Sequence, residues 1–137
     1  MEPRREEKDT ILLQELDEIN ELIFFDNGTY EIGYEINRVE KFVIRFKNHK
    51  VLEAYGATFS KRSAFIYKTT TECKGYFIRK CNWQKILSDH VELADDMKIK
   101  IINDYEFNIR KKINRAKRID TKVWEDRHDY EGILVMS

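Results

Sequence analysis

The apolar residues of this chain change their period once along its length. Up to about residue 81 they fall in short runs, several alternating with polar residues; from Asn82 onward they recur every three or four positions. Alternation sends successive side chains to opposite faces of a strand, whereas three- and four-residue spacing lines one side of a helix. The chain is therefore expected to be mainly β, with α-helices at its C-terminal end.

Thr10–Leu13, Leu22–Phe25, Tyr30–Ile36, Phe42–Phe46, Phe65–Tyr67 and Gly75–Arg79 read as strands. Asp26-Asn27-Gly28, placed between two of them, reads as the tight turn of a hairpin. Short strands separated by polar turns at this pace suggest an antiparallel roll, barrel or sandwich and argue against a parallel sheet with crossovers. Beyond them, Asn82 is positioned to cap a helix carrying Trp83, Ile86 and Leu87, and Ser88 or Asp89 to cap the next, with Glu92 closing a capping box. Ala94, Met97, Ile101, Ile102, Tyr105, Ile109, Ile113 and Ala116 form one stripe. Ile101, Tyr105 and Ile109, at its centre, are expected to pack against the strands or a partner helix, while Asp95, Lys98, Lys100, Asp104, Arg110 and Lys111 take the opposite face.

A length of 137 residues suits one domain. The formal net charge is zero, which argues against a general nucleic-acid binder. Cys73 and Cys81 are too few for a disulfide framework or zinc knuckle, and point to a reducing, cytoplasmic home. No apolar run approaches the roughly 20 residues of a membrane helix, and no signal-peptide pattern opens the chain. His49, His90 and His128 lack ligand spacing, so no metal site is expected. With no phosphate-binding Gly-rich loop, serine-hydrolase elbow or zinc-protease motif, an enzyme is not expected either. The cations Arg110, Lys111, Lys112, Arg115, Lys117 and Arg118 read as a solvated helix end; the alternative is a contact for anionic lipid head groups or, equally, for an acidic patch of a neighbouring subunit.

Tyr55-Gly56-Ala57-Thr58-Phe59-Ser60-Lys61-Arg62-Ser63-Ala64 places a glycine and then an Arg-Ser-Ala triplet ahead of an apolar strand, a combination able to hold an anion between backbone N–H groups and a guanidinium. With Pro3–Lys8, Gly28–Asn37, Lys61–Lys68, Phe77–Lys80 and Trp83, it resembles the cyclic-nucleotide-binding domain, in particular that at the cytoplasmic end of ciliate cation channels of the voltage-gated potassium type. The resemblance implies an antiparallel, jelly-roll-like β-roll over about 1–81, helices over about 82–118, and a tail over 120–137. It implies cyclic AMP or cyclic GMP as the regulatory ligand, other channel subunits or a second copy as partners through the C-terminal helices, and a place at the inner face of a membrane.

On this alignment Tyr55-Gly56 matches the family's Phe-Gly-Glu turn and Arg62-Ser63-Ala64 its phosphate triplet, so Gly56, Ala57, Arg62, Ser63 and Ala64 are the candidate ligand residues. Ala57 then stands where the family has the glutamate that accepts the ribose hydroxyl, and Gly56 to Arg62 is too short a span for the family's small phosphate-binding helix. A degenerate pocket with weak or no nucleotide binding is the expectation; a nucleotide-independent interaction scaffold is the alternative. Without the motif, Gly56 reads as a positive-φ turn and Arg62 as a solvated residue before a strand. Gly132–Met136 has strand character. The chain also resembles channels of the ether-à-go-go class, which implies that Tyr130–Leu134 docks near Gly56 and Arg62, with Glu131 standing in for a phosphate.

Overall fold

The computed structural model describes residues 1–47 and 50–119; Lys122, His49, His128 and the expected docking strand at 130–136 lie outside the described residues. The elements run β1 (Glu2–Glu6), β2 (Ile11–Leu13), β3 (Glu21–Asn27), β4 (Thr29–Ile36), β5 (Val39–Lys47), β6 (Lys50–Leu52), α1 (Ala54–Phe59), β7 (Ile66–Thr69), β8 (Cys73–Arg79), α2 (Lys80–Asp89) and α3 (Val91–Asp104). A π-helical turn, Tyr105–Arg110, continues α3 into a last helix over 111–119, here α4.

Strand pairing is nested. β1 pairs β8, β2 pairs β7, β3 pairs β6 and β4 pairs β5, every pair antiparallel. This is one long hairpin, its tip at Asn37-Arg38, rolled up so that alternate pairs fall into two sheets. The first sheet has the order β1-β8-β3-β6 and the second β2-β7-β4-β5. At the tip both Asn37 and Arg38 have positive φ, which gives a two-residue connection the twist that flanking strands need. The expected jelly-roll-like β-roll with C-terminal helices is the fold observed.

The Asp26-Asn27-Gly28 turn is not a hairpin. β3 and β4 belong to different sheets, so this is a corner at which the chain crosses from one to the other. Gly28 takes φ 116°, and a Cβ there would come 2.7 Å from both the Cys73 Sγ and the Glu72 carbonyl oxygen. The β7–β8 connection turns the same corner. Thr70 N–H donates to the Thr29 carbonyl at 2.9 Å, Thr29 N–H to Thr71 Oγ1 at 2.9 Å, and the buried Cys73 thiol to the Thr29 carbonyl at 3.3 Å. A turn signal in the sequence marks a reversal; which strand lies beside which is decided by the corner.

Alternation along β3 divides the core in two. Ile23 and Phe25 face the roll interior with Tyr30, Ile32, Tyr34, Ile44, Leu52, Phe65 and Tyr67. Leu22 faces the other way, into a second cluster with Ile19, Ala57, Trp83, Leu87 and Ala94 that joins α1 and the helices to the roll. Trp83 donates its indole N–H to Thr58 Oγ1 at 2.9 Å, tying α2 to α1. α2 starts at Lys80 and α3 at Val91, with Arg79 and His90 as caps that make no side-chain bond, so the expected caps at Asn82 and Ser88 or Asp89 lie inside α2.

The apolar stripe does pack, although along only part of its length. Ile101 joins the second cluster, Tyr105, Ile109 and Ala116 pack on the roll core, and Ile113, with no exposed surface, lies within it. Residues repeating every four positions drift about 40° per step around an α-helix. In the π turn Lys111 N–H reaches back to the Glu106 carbonyl, and this wider turn offsets the drift and keeps Tyr105, Ile109 and Ile113 in one row. Ile102 falls off the row and is exposed. The aligned row closes the open side of the roll.

Because Ile113 is wholly enclosed, Ile113→Ala is expected to cost about 2–5 kcal/mol, whereas Ile102→Ala on the exposed side of α3 should cost under about 1 kcal/mol. Urea unfolding of the two variants measures the difference; equal midpoints would place α4 off the roll.

Candidate functional site

The segment aligned with the phosphate cassette forms a helix. α1 begins at Ala54, two residues ahead of Gly56, and ends at Phe59, so a short helix does occupy the start of the span read as too short for one. It starts earlier than Tyr55-Gly56 allows, because the turn into it is made by Glu53, at φ 66° and ψ 31°. Left-handed backbone at a residue with a Cβ costs roughly 1–2 kcal/mol. Gly56 is therefore a helical residue with ordinary φ, selected by space. A Cβ there would overlap Ile19 Cδ1 and lie 2.9 Å from the Lys61 carbonyl oxygen and 3.0 Å from Glu53 Oε2. Glycine lets α1 lie flat on the β2–β3 connection, where Leu16 N–H donates to the Ser63 carbonyl and Ser63 N–H to the Asp17 carbonyl.

The five cassette residues do not converge on one pocket. Ala57 is fully buried among Ile19, Leu22, Trp83 and Leu87, and its N–H donates to the Glu53 carbonyl within α1. Ser63 is buried and gives its hydroxyl to the Phe65 carbonyl at 2.7 Å, and Ala64 is exposed. Arg62 points outward. Its guanidinium donates to the Leu16 carbonyl at 3.0 Å and to Glu18 at 3.1 Å, with its side chain 60% exposed. It borders a small polar depression with Lys61, Ser60 and Lys80.

A mainly apolar cavity of about 620 Å³ lies beside α1. Leu22, Phe24 and Val51 contribute the face of the first sheet turned away from the roll interior, Trp83 comes from α2, and Met97, Ile101 and Ile109 from α3 and the π turn. Tyr55 and Tyr105 form one end, their rings stacked at 4.0 Å and 4° between planes. The polar members are Glu53, Tyr67, Lys100 and Asp104, and Met1, which carries the amino terminus, also lines the wall. Lys100 and Asp104, expected on the solvated face of α3, are exposed and sit on the outer part of this wall.

Glu53 is the buried acid at the cavity wall that the sequence analysis did not single out. Only 7% of it is exposed, and burial pushes its carboxyl up to about 7 from an ordinary 4.5, a rise that the hydrogen bond from Tyr67 partly opposes. The Tyr67 hydroxyl, wholly buried, is held well above its ordinary range by desolvation and then by the Glu53 charge; Tyr105 is pushed up to about 12 by the same two causes. A signal existed. Glu53 precedes Arg62 by nine positions, close to the interval of about ten that the resemblance assigns between glutamate and arginine, and Tyr55-Gly56 drew the alignment away from it.

Ile101, Tyr105 and Ile109 face the cavity and the roll, not outward. Arg110 is exposed and pairs with Glu106 one turn back; Lys111 lies 4.3 Å from the Phe107 ring centroid. The ammonium of Lys117 sits over the rings of Tyr34 and Phe65, at 5.2 and 5.7 Å. Among the described residues no group of three or more metal-ligating side chains occurs. No described helix is long and apolar enough to cross a membrane.

No protein-family model and no curated protein sequence matches this chain. Solved structures do. The C-linker and CNBHD of zELK channels, crystallised in the presence of cAMP, superposes with a TM-score of 0.66 at 15% identity, over 80% of this chain and 55% of that one. The regulatory domain of Toxoplasma gondii PKA with cAMP gives 0.62 at 16%, over 70% and 37%; the c-di-GMP-responsive regulator CLP of Xanthomonas campestris gives 0.63 at 18%, over 88% and 57%. The chain thus spans little more than a third to a little over half of these proteins. At such identities the likeness shows the fold, which is that of cyclic-nucleotide-binding domains.

A carboxyl whose pKa is raised on folding stabilises the native state while protonated. That contribution is complete below about pH 4.5 and is lost as pH rises through about 7, a change of roughly 3 kcal/mol. Glu53→Gln keeps a partner for Tyr67 without the charge. The variant should match the wild type near pH 5 and exceed its stability at pH 8; a stability difference that does not change with pH would refute the buried titration. Gly56→Ala, which crowds Ile19 and the Lys61 carbonyl, should cost about 1–3 kcal/mol by thermal unfolding. An unchanged melting temperature would show α1 free to lift.

Proposed function

We propose that the chain is a regulatory domain of the cyclic-nucleotide-binding type with a degenerate pocket, one that binds cyclic AMP or cyclic GMP weakly or not at all. The observation that carries this reading is the position of Arg62. The motif-matched cation is engaged by Leu16 and Glu18 outside the cavity, while the cavity wall presents Glu53 and Asp104. A cyclic phosphate entering there would meet those carboxyls without the motif-matched guanidinium, the exposed cations of the wall being Lys100 and the Met1 amino terminus. The π turn and α4 add a second obstacle, since Tyr105, Ile109 and Ile113 already pack on the roll interior.

The channel setting of this reading comes from the resemblance to ciliate potassium and cation channels and from the likeness to the zELK C-linker and CNBHD. In it the domain sits at the cytoplasmic face of a membrane, is not an enzyme, and works through its helices. A two-state packing of α3 and α4 against the roll would be biased by whatever contacts them and relayed to neighbouring subunits. Arg115 and Arg118, exposed at the basic end, suit contact with anionic lipid or an acidic subunit surface.

An interaction scaffold that needs no nucleotide is favoured by one separate observation. Val91, Leu93, Ile99, Ile102 and Phe107 are large, apolar and exposed along α3 and the π turn. Light scattering across a concentration series tests it, with Ile99→Asp expected to return any oligomer to monomer.

Calorimetric titration with cyclic AMP and cyclic GMP decides the first reading. The expected dissociation constant is above about 100 μM, as for a site lacking charge-assisted phosphate contacts, and Arg62→Ala should leave it unchanged. A constant below about 1 μM that Arg62→Ala abolishes would overturn the degenerate pocket.

A further inference from the structure

α3, the π turn and α4 form one continuous helix with two unlike faces. One face seats Ala94, Ile101, Tyr105, Ile109 and Ile113 against the roll and α1. The other leaves Ile99, Ile102 and Phe107 large, apolar and exposed. These three are the middle of a longer pattern that is symmetric in position, and opposite in charge, about Asn103. Four residues to either side of Asn103 stand Ile99 and Phe107, and eight to either side stand Asp95 and Lys111. Farther out, exposed Glu92 extends the acidic end, and exposed Arg115 and Arg118 the basic one. The helix dipole favours acids in a first turn and cations in a last one. Asp95 lies past the first turn, however, and a dipole gives no reason to keep three large apolar side chains in solvent between the two charged ends.

We propose that this face docks on a second copy of itself, the two helices antiparallel about a two-fold axis at Asn103, with Ile99 of each copy against Phe107 of the other and Asp95 against Lys111. An interface between identical patches has to be self-complementary, and this pattern is so only in the antiparallel sense. A parallel, in-register pair would set Asp95 on Asp95 and Lys111 on Lys111, like charges along the whole seam. Apolar and aromatic side chains at the centre with charged ones around them are the arrangement that a protein interface needs. The Lys111 ammonium, 4.3 Å from the Phe107 ring centroid, already stands at the edge of that centre. Tyr105, Ile109 and Ile113 stay on the roll when the outer face pairs, so docking requires no opening of the fold. Each closing helix then rests on the other, and a change in its packing on one roll is felt by the second. The inference rests on the nucleotide-independent scaffold reading, to which it gives a partner and a geometry.

Charge reversal tests it. Sedimentation equilibrium of the full chain over about 5–200 μM is expected to show monomer and dimer, and Asp95→Lys and Lys111→Glu should each raise the dissociation constant at least about fivefold. Combining the two substitutions should bring it back to within about twofold of the wild type, because each reversed charge again meets its opposite across the seam. Positions 95 and 111 lie roughly 20 Å or more apart along one helix, so no contact inside a single copy can produce that rescue. Thermal unfolding of each variant confirms that it is folded. Single reversals without effect, which a parallel pair would give, or a double variant no better than the singles overturn the inference alone. A wild type that stays monomeric throughout, leaving the face to a different partner, or a dimer that Ile99→Asp does not weaken overturns both the inference and the scaffold reading on this face.

Discussion

Two sheets rolled from one long hairpin leave an open side, and apolar side chains on the inner faces cannot be left to water there. Everything C-terminal to β8 answers that constraint. Ile109, Ile113 and Ala116 supply the missing wall from a helix, and Ile113 is as enclosed as Ile32 in the middle of the second sheet. The π turn follows from the same demand, because a straight α-helix would rotate one of Tyr105, Ile109 or Ile113 away from the row. A wide turn weakens the helix locally. It is kept here because it leaves Ile113 fully buried and Tyr105 and Ile109 packed on the roll core, and full burial of one large apolar side chain, at about 1.5–3 kcal/mol, already outweighs one poorly formed turn.

Closure by a helix also sets the electrostatics. With the roll shut, Glu53, Tyr67 and Tyr30 lie in surroundings that disfavour charge, and desolvation is the largest cause of the shift at each of them. Glu53 is where the covalent path, the charge and the cavity meet. Its positive φ turns the chain out of β6 into α1, its carbonyl accepts the first helical N–H, and its carboxyl takes the Tyr67 hydroxyl. An ionisable residue with three local duties is not easily replaced by an apolar one, even where the apolar one would be more stable.

The strand-then-helix division was legible because it depends on side-chain period, which survives any choice of topology; β4, β5 and β8 and the Tyr105–Ile113 row follow from it. The corner at Gly28 was not, since a glycine turn looks the same whether the strands around it pair with each other or with distant partners. α1 was invisible for a different reason. Six residues containing a glycine and a β-branched threonine carry no stripe, and the helix exists because Trp83, Leu87 and Ile19 pack on it and Thr58 receives the Trp83 N–H. The candidate site was half legible. The Arg-Ser-Ala triplet was found where it stands, but whether Arg62 faces inward depends on Glu18 and the Leu16 carbonyl, which belong to a connection more than forty residues earlier.

The contact that unites cavity and closure is the stack of Tyr55 on Tyr105. Tyr55 belongs to α1, whose start is fixed by Glu53; Tyr105 opens the π turn, whose far end is fixed by Ile113 in the roll. α1 cannot tilt without sliding one ring over the other, and the π turn cannot convert to α without rotating Tyr105 off its partner. Two short elements, each individually weak, are thus held in a common register by a pair of rings worth about 0.5–1.5 kcal/mol beyond their burial. That is small enough for a ligand touching both rings to exceed it, and large enough to keep the unliganded domain in one arrangement.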